Sequence, residues 1–271
     1  PDRRNAPTAP AVAVRPANLR FTQATRVETV AMRRRPPDSV IITVLAGLGM
    51  IGPFSTDTIF PAFAEMGTEF GASEFALQQL VAVYLVSYAA LSLFHGSLSD
   101  ARGRRPVIIG GLAIYLLGCV GAALAQSLEF LLVMRALQGA GAGASQIIGR
   151  AMIRDYFSGQ KAQKMMANVT MIFALAPAAA PIIGGLILGF ADWRAIFWFL
   201  VAWAALMILA TLLLPEPVGP DKRVPFSARQ VMHGLAVVWS NPDGRRLAIN
   251  AALHFGGTFL YISSAPLIMG L

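Results

Sequence analysis

The sequence is poor in charged residues and nearly lacks cysteine. Charged side chains make up 13% of the 271 residues, about half the fraction found in an ordinary soluble domain. Cys119 is the only cysteine, so no disulfide can form within the chain, and the three histidines lack metal-ligand spacing. A phosphate-binding loop of the form GxxxxGK[ST] is also absent, which argues against direct use of ATP by this chain.

Long apolar runs are what the sequence has in abundance. Apolar residues make up 56% of the chain, and the mean hydropathy is +0.60. A helix that crosses a bilayer core of ~30 Å needs roughly 20 apolar residues, and its backbone groups must be bonded internally. The sequence therefore predicts an all-α integral membrane protein. The predicted spans are Val40–Phe63, Phe75–Phe94, Val107–Ala125, Phe130–Ile153, Met165–Phe190, Ala195–Leu214 and Leu247–Met269.

Positive charge outside these runs lies mainly in alternate loops. The chain carries a net charge of +8, and the basic residues outside the runs, apart from Arg194, precede the first run or lie between the second and third, fourth and fifth, and sixth and seventh. The opposite loops are acidic and hold one basic residue, Arg194. Because cytoplasmic loops of membrane proteins are enriched in Lys and Arg, we expect a cytoplasmic N-terminus. Nucleic-acid binding is disfavoured, since the charges are scattered over short loops.

The chain divides into four predicted segments. Residues 1–37 are predicted to be a disordered basic cytoplasmic tail; Met32 is suspected to be the true start codon, and a genuine tail is the equal alternative. Residues 38–214 form a bundle of six spans. The proline-rich segment 215–243 is predicted to be a cytoplasmic loop between bundles. Residues 244–271 hold the seventh span, the start of a second bundle, so the chain is interpreted as truncated.

A short basic loop between the second and third spans carries a dense motif. Two glycines permit a tight turn and close approach, and an aspartate at the membrane surface can pair with an arginine. We expect this loop to act as a gate latch, with Arg154 and Asp155 at the inner end of the fourth span as partners. A solvated surface cluster is the alternative. The residues of the loop are Gly96, Asp100, Arg102, Gly103, Arg104 and Arg105.

Two charged residues lie clearly inside predicted spans. Asp57 is in the outer half of the first span, and Arg135 is in the outer half of the fourth, so they are expected at similar depth. An ionised group in the bilayer interior costs ~2.5–3.5 kcal/mol on insertion scales and is a functional candidate. We expect both to face a central cavity, with Asp57 as the proton or cation site. The alternatives are that Asp57 caps a helix end and that Arg135 holds backbone carbonyls or Gln138.

These motifs together resemble a known transporter superfamily. The loop matches the major facilitator signature G-x-L-x-D-x-x-G-R-[RK], and Arg135–Gly141 is similar to its R-x-x-Q-G-x-G motif. Ala176–Gly185 resembles the antiporter motif, with Ala180-Pro181 in place of the usual Gly-Pro. With Ser55–Pro61 and Asp192–Trp198, residues from about 38 to 271 look like the bicyclomycin/chloramphenicol-resistance group of twelve-span drug:proton antiporters.

The resemblance implies a function as well as a fold. The fold is a major facilitator six-helix N-terminal bundle plus the first helix of the C-terminal bundle. The function is non-enzymatic, proton-coupled export of drugs across a bacterial inner membrane by a protein that is monomeric when full length. It needs no cofactor, no metal and no nucleic acid, and its partners are a small molecule, protons and the bilayer. Arg135 and Gln138 would take part in proton coupling. The antiporter motif would be Pro177, Pro181, Gly184 and Gly185.

Two other functions stay open at this point. One is transport of a native metabolite such as a polyamine, sugar or nucleoside, and the other is an inactive fragment of such a carrier. A membrane enzyme is disfavoured, because no nucleophile, base and orienting group emerge together. Aromatic residues are candidates for an apolar drug pocket, although aromatics in membrane helices more often pack or face lipid. These residues are Tyr84, Tyr88, Phe173, Trp198 and Trp203.

Overall fold

The computed structural model describes residues 36–269, with side chains through residue 257. The predicted tail over residues 1–37, including Met32, lies outside this part of the chain except for its last two residues. All regular elements within residues 36–269 are helices. The prediction of an all-α fold is therefore confirmed for the described residues.

The first predicted span is a helix broken into pieces and longer than the apolar run. A proline lies close to each break: Pro53 is the third residue of the second piece, just after the break at Met50, and Pro61 lies in a 3-10 turn. Proline lacks the N–H that an α-helix requires, so the chain changes its helical geometry there. The pieces are α1 (Asp38–Gly49), α2 (Ile51–Asp57), the 3-10 turn (Phe60–Ala62) and α3 (Phe63–Phe70).

The next five predicted spans are continuous helices. Four of them, together with the segment Asp38–Phe70, are long and apolar enough to cross a membrane, which makes five such segments among the described residues. The exception is α6, which is long enough at 29 residues but carries Arg135, Gln138, Gln146 and Arg150. The helices are α4 (Glu74–Arg102), α5 (Arg104–Ala123), α6 (Leu128–Tyr156), α7 (Gly159–Leu188) and α8 (Arg194–Leu213).

Helix ends are marked by serine and glycine. The side chains of Ser73 and Ser127 accept hydrogen bonds from backbone N–H groups at the starts of α4 and α6, each at 3.3 Å. A side-chain oxygen at this position satisfies a donor that has no partner inside the helix. Gly103 separates α4 from α5 with φ of +100°, a conformation that residues with a Cβ rarely adopt.

Helix α6 lies at the centre of the bundle. It packs along both α4 and α5, α5 packs against α8, and the first span contacts α6, α7 and α8. Small residues make these approaches possible, as is usual between membrane helices. A Cβ added to Gly141 would lie 2.3 Å from the carbonyl oxygen of Gly111, so α5 and α6 touch through their backbones. The glycines of α6 thus form a packing surface.

The segment 215–243 contains more structure than the predicted loop. A 3-10 turn covers Pro220–Lys222, and an amphipathic helix, α9, covers Ala228–Ser240. The prolines of this segment lie at positions 215–225 and at position 242. The stretch Ala228–Ser240 contains no proline, so a helix can form there. The last helix, α10 (Pro242–Met269), begins two residues before the predicted boundary, at a proline, as is common for a first helical turn.

Candidate functional site

The guanidinium of Arg135 is completely enclosed by the bundle. Its exposed fraction is 0%, its Nε donates to the carbonyl of Leu80 at 3.0 Å, and its Nη1 donates to Oε1 of Gln138 at 2.6 Å. The ring of Tyr84 lies 4.6 Å from its Cζ. No carboxylate of residues 36–257 lies within ion-pair distance of Arg135. Arg135 therefore makes the contacts named above as its alternative role, with a backbone carbonyl and with Gln138.

A second set of polar contacts reaches the same region from the first span. Ser55 Oγ and Tyr115 Oη are 2.6 Å apart, and Tyr115 lies one turn before Cys119 on α5. Cys119 Sγ in turn accepts a hydrogen bond from Nε2 of Gln138 at 3.1 Å. Buried polar side chains therefore run from α2 across α5 to Arg135 on α6. We call Ser55, Tyr115, Cys119, Gln138 and Arg135 the buried polar chain.

Asp57 lies at the end of α2, two residues after Ser55. It is 5% exposed, and its Oδ1 accepts a hydrogen bond of 2.7 Å from Oγ1 of Thr56. Asp57 and Arg135 form no ion pair. Both side chains are buried inside the bundle, which differs from the expected position facing an open cavity. The reason is that the broken first span places Asp57 against neighbouring helices, while α4 covers Arg135.

The basic loop forms a connected set of ion pairs at one end of the bundle. Arg104 Nη1 lies 2.6 Å from Oδ1 of Asp100, and Arg104 Nε lies 2.9 Å from Oδ2 of Asp155. Nη1 of the same arginine also lies 2.6 Å from Oγ of Ser99. Arg154 and Asp155 were the expected partners of the loop. Asp155 does pair with Arg104 of the loop, whereas Asp100 pairs with Arg104, four residues further along the chain, and Arg154 is exposed.

A glutamate from the segment after α8 completes this cluster. Glu216 accepts hydrogen bonds from the backbone N–H groups of Arg104 and Arg105, both at 2.9 Å. These donors lie at the positive end of the α5 dipole, where a carboxylate is stabilising. A Cβ at Gly103 would lie 2.9 Å from Oε2 of Glu216, so the glycine leaves space for the carboxylate as well as for the turn.

We expect Glu216→Gln to loosen this contact. An amide offers one acceptor oxygen where two backbone N–H groups need acceptors, and it removes the charge at the helix end. The loss should be about 1–2 kcal/mol, or roughly 3–6 °C in the midpoint of thermal unfolding in detergent. Asp221→Asn is the control, since Asp221 is an exposed acid in the same segment. Equal midpoints for Glu216→Gln and wild type would contradict the assigned contact.

The antiporter-like motif packs α7 against the end of the first span. Ala176, Ala180 and Gly184 are buried at successive turns of α7, which is continuous through Pro177 and Pro181. A Cβ at Gly184 would lie 2.2 Å from the carbonyl oxygen of Thr58, whereas one at Gly185 would meet nothing within 4 Å. Gly184 therefore sets the distance between α7 and the segment that carries Asp57.

A charge cluster also closes the opposite end of the bundle. Arg194 holds Glu69 with two hydrogen bonds of 2.5 and 3.0 Å, and it donates to the carbonyl of Ala125 at 3.1 Å. Trp193 is fully buried, and its Nε1 donates to Glu69 at 2.6 Å. A bidentate arginine–carboxylate pair is a strong and directional contact. This cluster fastens the end of the first span to the start of α8.

Several of these residues were missed by the sequence analysis. Glu69 was counted only among the charges of the acidic loops, and Glu216 was not considered. Both were missed because their partners are more than 100 positions away in the chain. Cys119, which the sequence analysis considered only for disulfides, is buried in the polar chain. Among the described residues, no group of three His, Cys, Asp or Glu side chains is placed to hold a metal ion.

The helices define a multi-pass membrane protein, with five segments among the described residues long and apolar enough to cross a bilayer. Within that class, the chain belongs to the Major Facilitator Superfamily, whose family model matches residues 45–271. This match confirms the superfamily indicated by the basic loop, by Arg135–Gly141 and by Ala176–Gly185.

Related proteins and a related structure agree with this membership. The chain is 27% identical over 239 residues to a bicyclomycin resistance protein homolog of Haemophilus influenzae, covering 88% of this chain and 60% of the relative. It is 31% identical to multidrug resistance protein MdtM of Escherichia coli, covering 79% and 50%. The human organic anion transporter MFSD10 has a similar fold, with a TM-score of 0.59, 20% identity and coverage of 73% and 53%. The chain thus spans between half and three fifths of the length of these proteins.

Proposed function

We propose that the protein carrying this chain is a proton-coupled exporter of drugs or other small amphipathic compounds. The resistance proteins named above support a drug as the substrate, since they are related over most of this chain. The alternation of basic and acidic loops supports a multi-pass protein of a bacterial inner membrane with a cytoplasmic N-terminus. The energy source would be the proton gradient, with no cofactor, and the complete protein would act as a monomer.

The buried polar chain is the observation that carries the proton-coupling proposal. Burying the guanidinium of Arg135 at 0% exposure without a carboxylate partner destabilises the folded protein, because the charge loses its hydration. A structural role alone therefore does not explain its presence. Asp57 lies two residues from Ser55, which begins the chain of polar contacts to Arg135. Protonation of Asp57 would change the charge at one end of these contacts, and the bundle would respond by shifting the first span against α6.

The charge clusters at the two ends support alternating access as the mechanism. Asp100, Arg104, Asp155 and Glu216 hold the inner ends of α4, α5 and α6 together with the segment after α8. Glu69 and Arg194 hold the opposite ends. In this family of folds, substrate sites lie near the bilayer midplane between two halves that rock against each other. Release of one cluster while the other stays intact would open the protein to one side.

Asp57→Asn is expected to abolish coupled transport. The complete reading frame is expressed, and everted membrane vesicles are energised so that their lumen becomes acidic. Chloramphenicol, bicyclomycin, ethidium and putrescine are then added in turn while lumenal pH is recorded. A drug:proton antiporter releases lumenal protons when its substrate is added, and the asparagine cannot take up a proton. Lumenal pH should therefore rise in wild type and stay unchanged in Asp57→Asn.

The matched control for this assay is Glu65→Gln. Glu65 is an exposed carboxylate on α3, at the end of the same span, and its replacement should leave the pH response intact. An undiminished response in Asp57→Asn would refute its role as the proton site. A response to putrescine alone would replace drug export by transport of a native polyamine.

A further inference from the structure

The hydrogen bond between Ser55 and Tyr115 has a direction that is fixed by the number of hydrogens available. A serine hydroxyl has one hydrogen, and Ser55 donates it to the carbonyl of Ile51 at 2.6 Å. Tyr115 Oη also lies 2.6 Å from Ser55 Oγ, so it is the donor of the bond that the two hydroxyls share. Tyr115 thereby ties α5 to α2, two residues before Asp57.

The side-chain amide of Gln138 is oriented from both of its sides. Arg135 has only donors, so the atom of Gln138 that lies 2.6 Å from its Nη1 is the acceptor Oε1. The amide nitrogen points the other way and donates to Sγ of Cys119 at 3.1 Å. A reversed amide would set its nitrogen against the guanidinium, donor against donor. Cys119 therefore supplies the acceptor that the amide nitrogen needs in the orientation required by Arg135.

Two glycines make room for these side chains where α5 and α6 touch. A Cβ at Gly118 would lie 2.8 Å from Cγ of Gln138, and a Cβ at Gly141 would lie 3.0 Å from Cβ of Tyr115. Both distances are shorter than a normal contact between carbon atoms. Gln138 and Tyr115 are therefore each enclosed by the backbone of the opposite helix, which limits how far their side chains can turn.

Few other contacts fix the guanidinium of Arg135. Its Nε donates to the carbonyl of Leu80, but its Nη2 is buried without a hydrogen-bond partner among the described residues. The hydroxyl of Tyr84, whose ring lies against the guanidinium, also has no partner there. In the described part of the chain, Gln138 is the one side chain that accepts a hydrogen bond from Arg135. The orientation of the guanidinium therefore depends on how Gln138 is held.

We propose that Cys119 and Tyr115 are positioning residues for Arg135. Cys119 holds the amide of Gln138 in the orientation that Arg135 needs. Tyr115 lies one turn before Cys119 on the same helix and ties that helix to Ser55. Neither residue touches the guanidinium through a hydrogen bond of its own, so both act on it through Gln138 or through the position of α5.

This arrangement gives proton uptake at Asp57 a route to the fourth span. A displacement of α2 on protonation of Asp57 would reach α5 through Tyr115, and it would reach Arg135 through Cys119 and Gln138. The inference rests on the proposed proton-coupled export, and it names the residues that carry the coupling between the first span and α6.

Serine and alanine at position 119 separate positioning from packing. Both side chains are small, but serine keeps an acceptor for the amide nitrogen of Gln138 and alanine does not. In the everted-vesicle assay with the complete reading frame, Cys119→Ser should retain the drug-induced rise in lumenal pH. Cys119→Ala should slow that rise by about 5-fold, the factor that corresponds to loss of one neutral hydrogen bond. A residue that only fills space predicts equal rates in the two variants.

Tyr115→Phe tests the link to the first span, because it keeps the ring and removes the hydroxyl that donates to Ser55. The rate should fall to a similar degree. Thr211→Val is the matched control: the buried hydroxyl of Thr211 donates to the carbonyl of Met207 within α8, and its loss should leave the rate unchanged. Residues that act as a unit are non-additive, so the double variant Tyr115→Phe/Cys119→Ala should be about as slow as the slower single variant.

A second measurement needs neither transport nor a proton gradient. The S–H stretch of Cys119 is recorded by infrared spectroscopy on the purified full-length protein in detergent, and it is identified as the band missing from Cys119→Ser. Gln138→Met removes the donor to the sulfur and should shift this band. Arg135→Met leaves the thiol untouched but frees the amide of Gln138, so it should shift the band as well. Thr211→Val should leave the band in place.

Three results would overturn the proposal. They are equal rates in Cys119→Ser and Cys119→Ala, losses that multiply in the double variant, and a thiol band that Arg135→Met does not move. If wild type gives no pH response to any of the drugs, proton-coupled export is wrong, and the infrared shifts still decide whether Cys119 positions Arg135. A normal response in wild type with an unmoved thiol band overturns the positioning role alone.

Discussion

Gly184→Ala is expected to disrupt the packing between α7 and the first span. The added Cβ would lie 2.2 Å from the carbonyl oxygen of Thr58, and a backbone atom cannot move away without shifting its helix. Overpacking of this kind costs about 1–3 kcal/mol and occasionally more. We expect the upper end of that range, seen as a fall of roughly 5 °C or more in the thermal unfolding midpoint in detergent. Because Thr58 follows Asp57, the drug-induced proton flux should fall as well.

The neighbouring residue provides the control for this substitution. A Cβ at Gly185 would meet nothing within 4 Å, and alanine favours a helix more than glycine does, by about 1 kcal/mol. Gly185→Ala should therefore be neutral or slightly stabilising. If the two alanine variants unfolded at the same temperature, the close contact between Gly184 and Thr58 would be wrong, and the antiporter-like motif would need another physical explanation.

Arg135→Met is expected to abolish coupled transport while most of the bundle stability is retained. Methionine fills much of the same space as arginine. Arg135 is buried and has no carboxylate partner, so its removal leaves no unpaired negative charge inside the bundle. The hydrogen bonds to Leu80 and Gln138 are lost. Replacement of a buried ionic group by a well-packed apolar one is often nearly neutral for stability. Proton flux in vesicles and thermal unfolding in detergent measure the two effects separately.

Arg135→Ala provides the comparison, because it removes volume as well as charge. A large cavity inside the bundle should cost about 3 kcal/mol or more, so this variant should be clearly less stable than Arg135→Met. Full transport in Arg135→Met would show that the arginine serves only to pack α6 against α4. Equal stabilities of the methionine and alanine variants would instead contradict the enclosed position of the side chain.

The helices were predictable from the sequence because each depends on residues close to it in the chain. An apolar run of sufficient length forms a helix in lipid. The breaks in the first span were not predicted, and prolines alone do not locate them, since α7 is continuous through Pro177 and Pro181. The segment 215–243 is the instructive exception. Its prolines and charges favoured a loop, yet Ala228–Ser240 lies between them and forms a helix capped by Ser227.

The candidate site was predictable only in part. Arg135 and Gln138 are three residues apart on one helix, so their pairing follows from helical geometry. The contacts of Glu216 with α5 and of Glu69 with Arg194 join residues 112 and 125 positions apart. Nothing local marks those glutamates as different from other surface acids, which is why the sequence analysis passed over them.

The sequence by itself determined the membrane class, the helical runs, the superfamily motifs and which charges lie within apolar runs. These properties depend on hydropathy and local spacing, which any short stretch of chain already carries. Only the tertiary structure decided which side of a helix each polar group occupies. It enclosed Arg135, left Arg150 exposed on the same helix, and brought Ser55, Tyr115 and Cys119 together. The physical reason is that burial depends on which other helices pack against a given face, and that is set by the whole bundle.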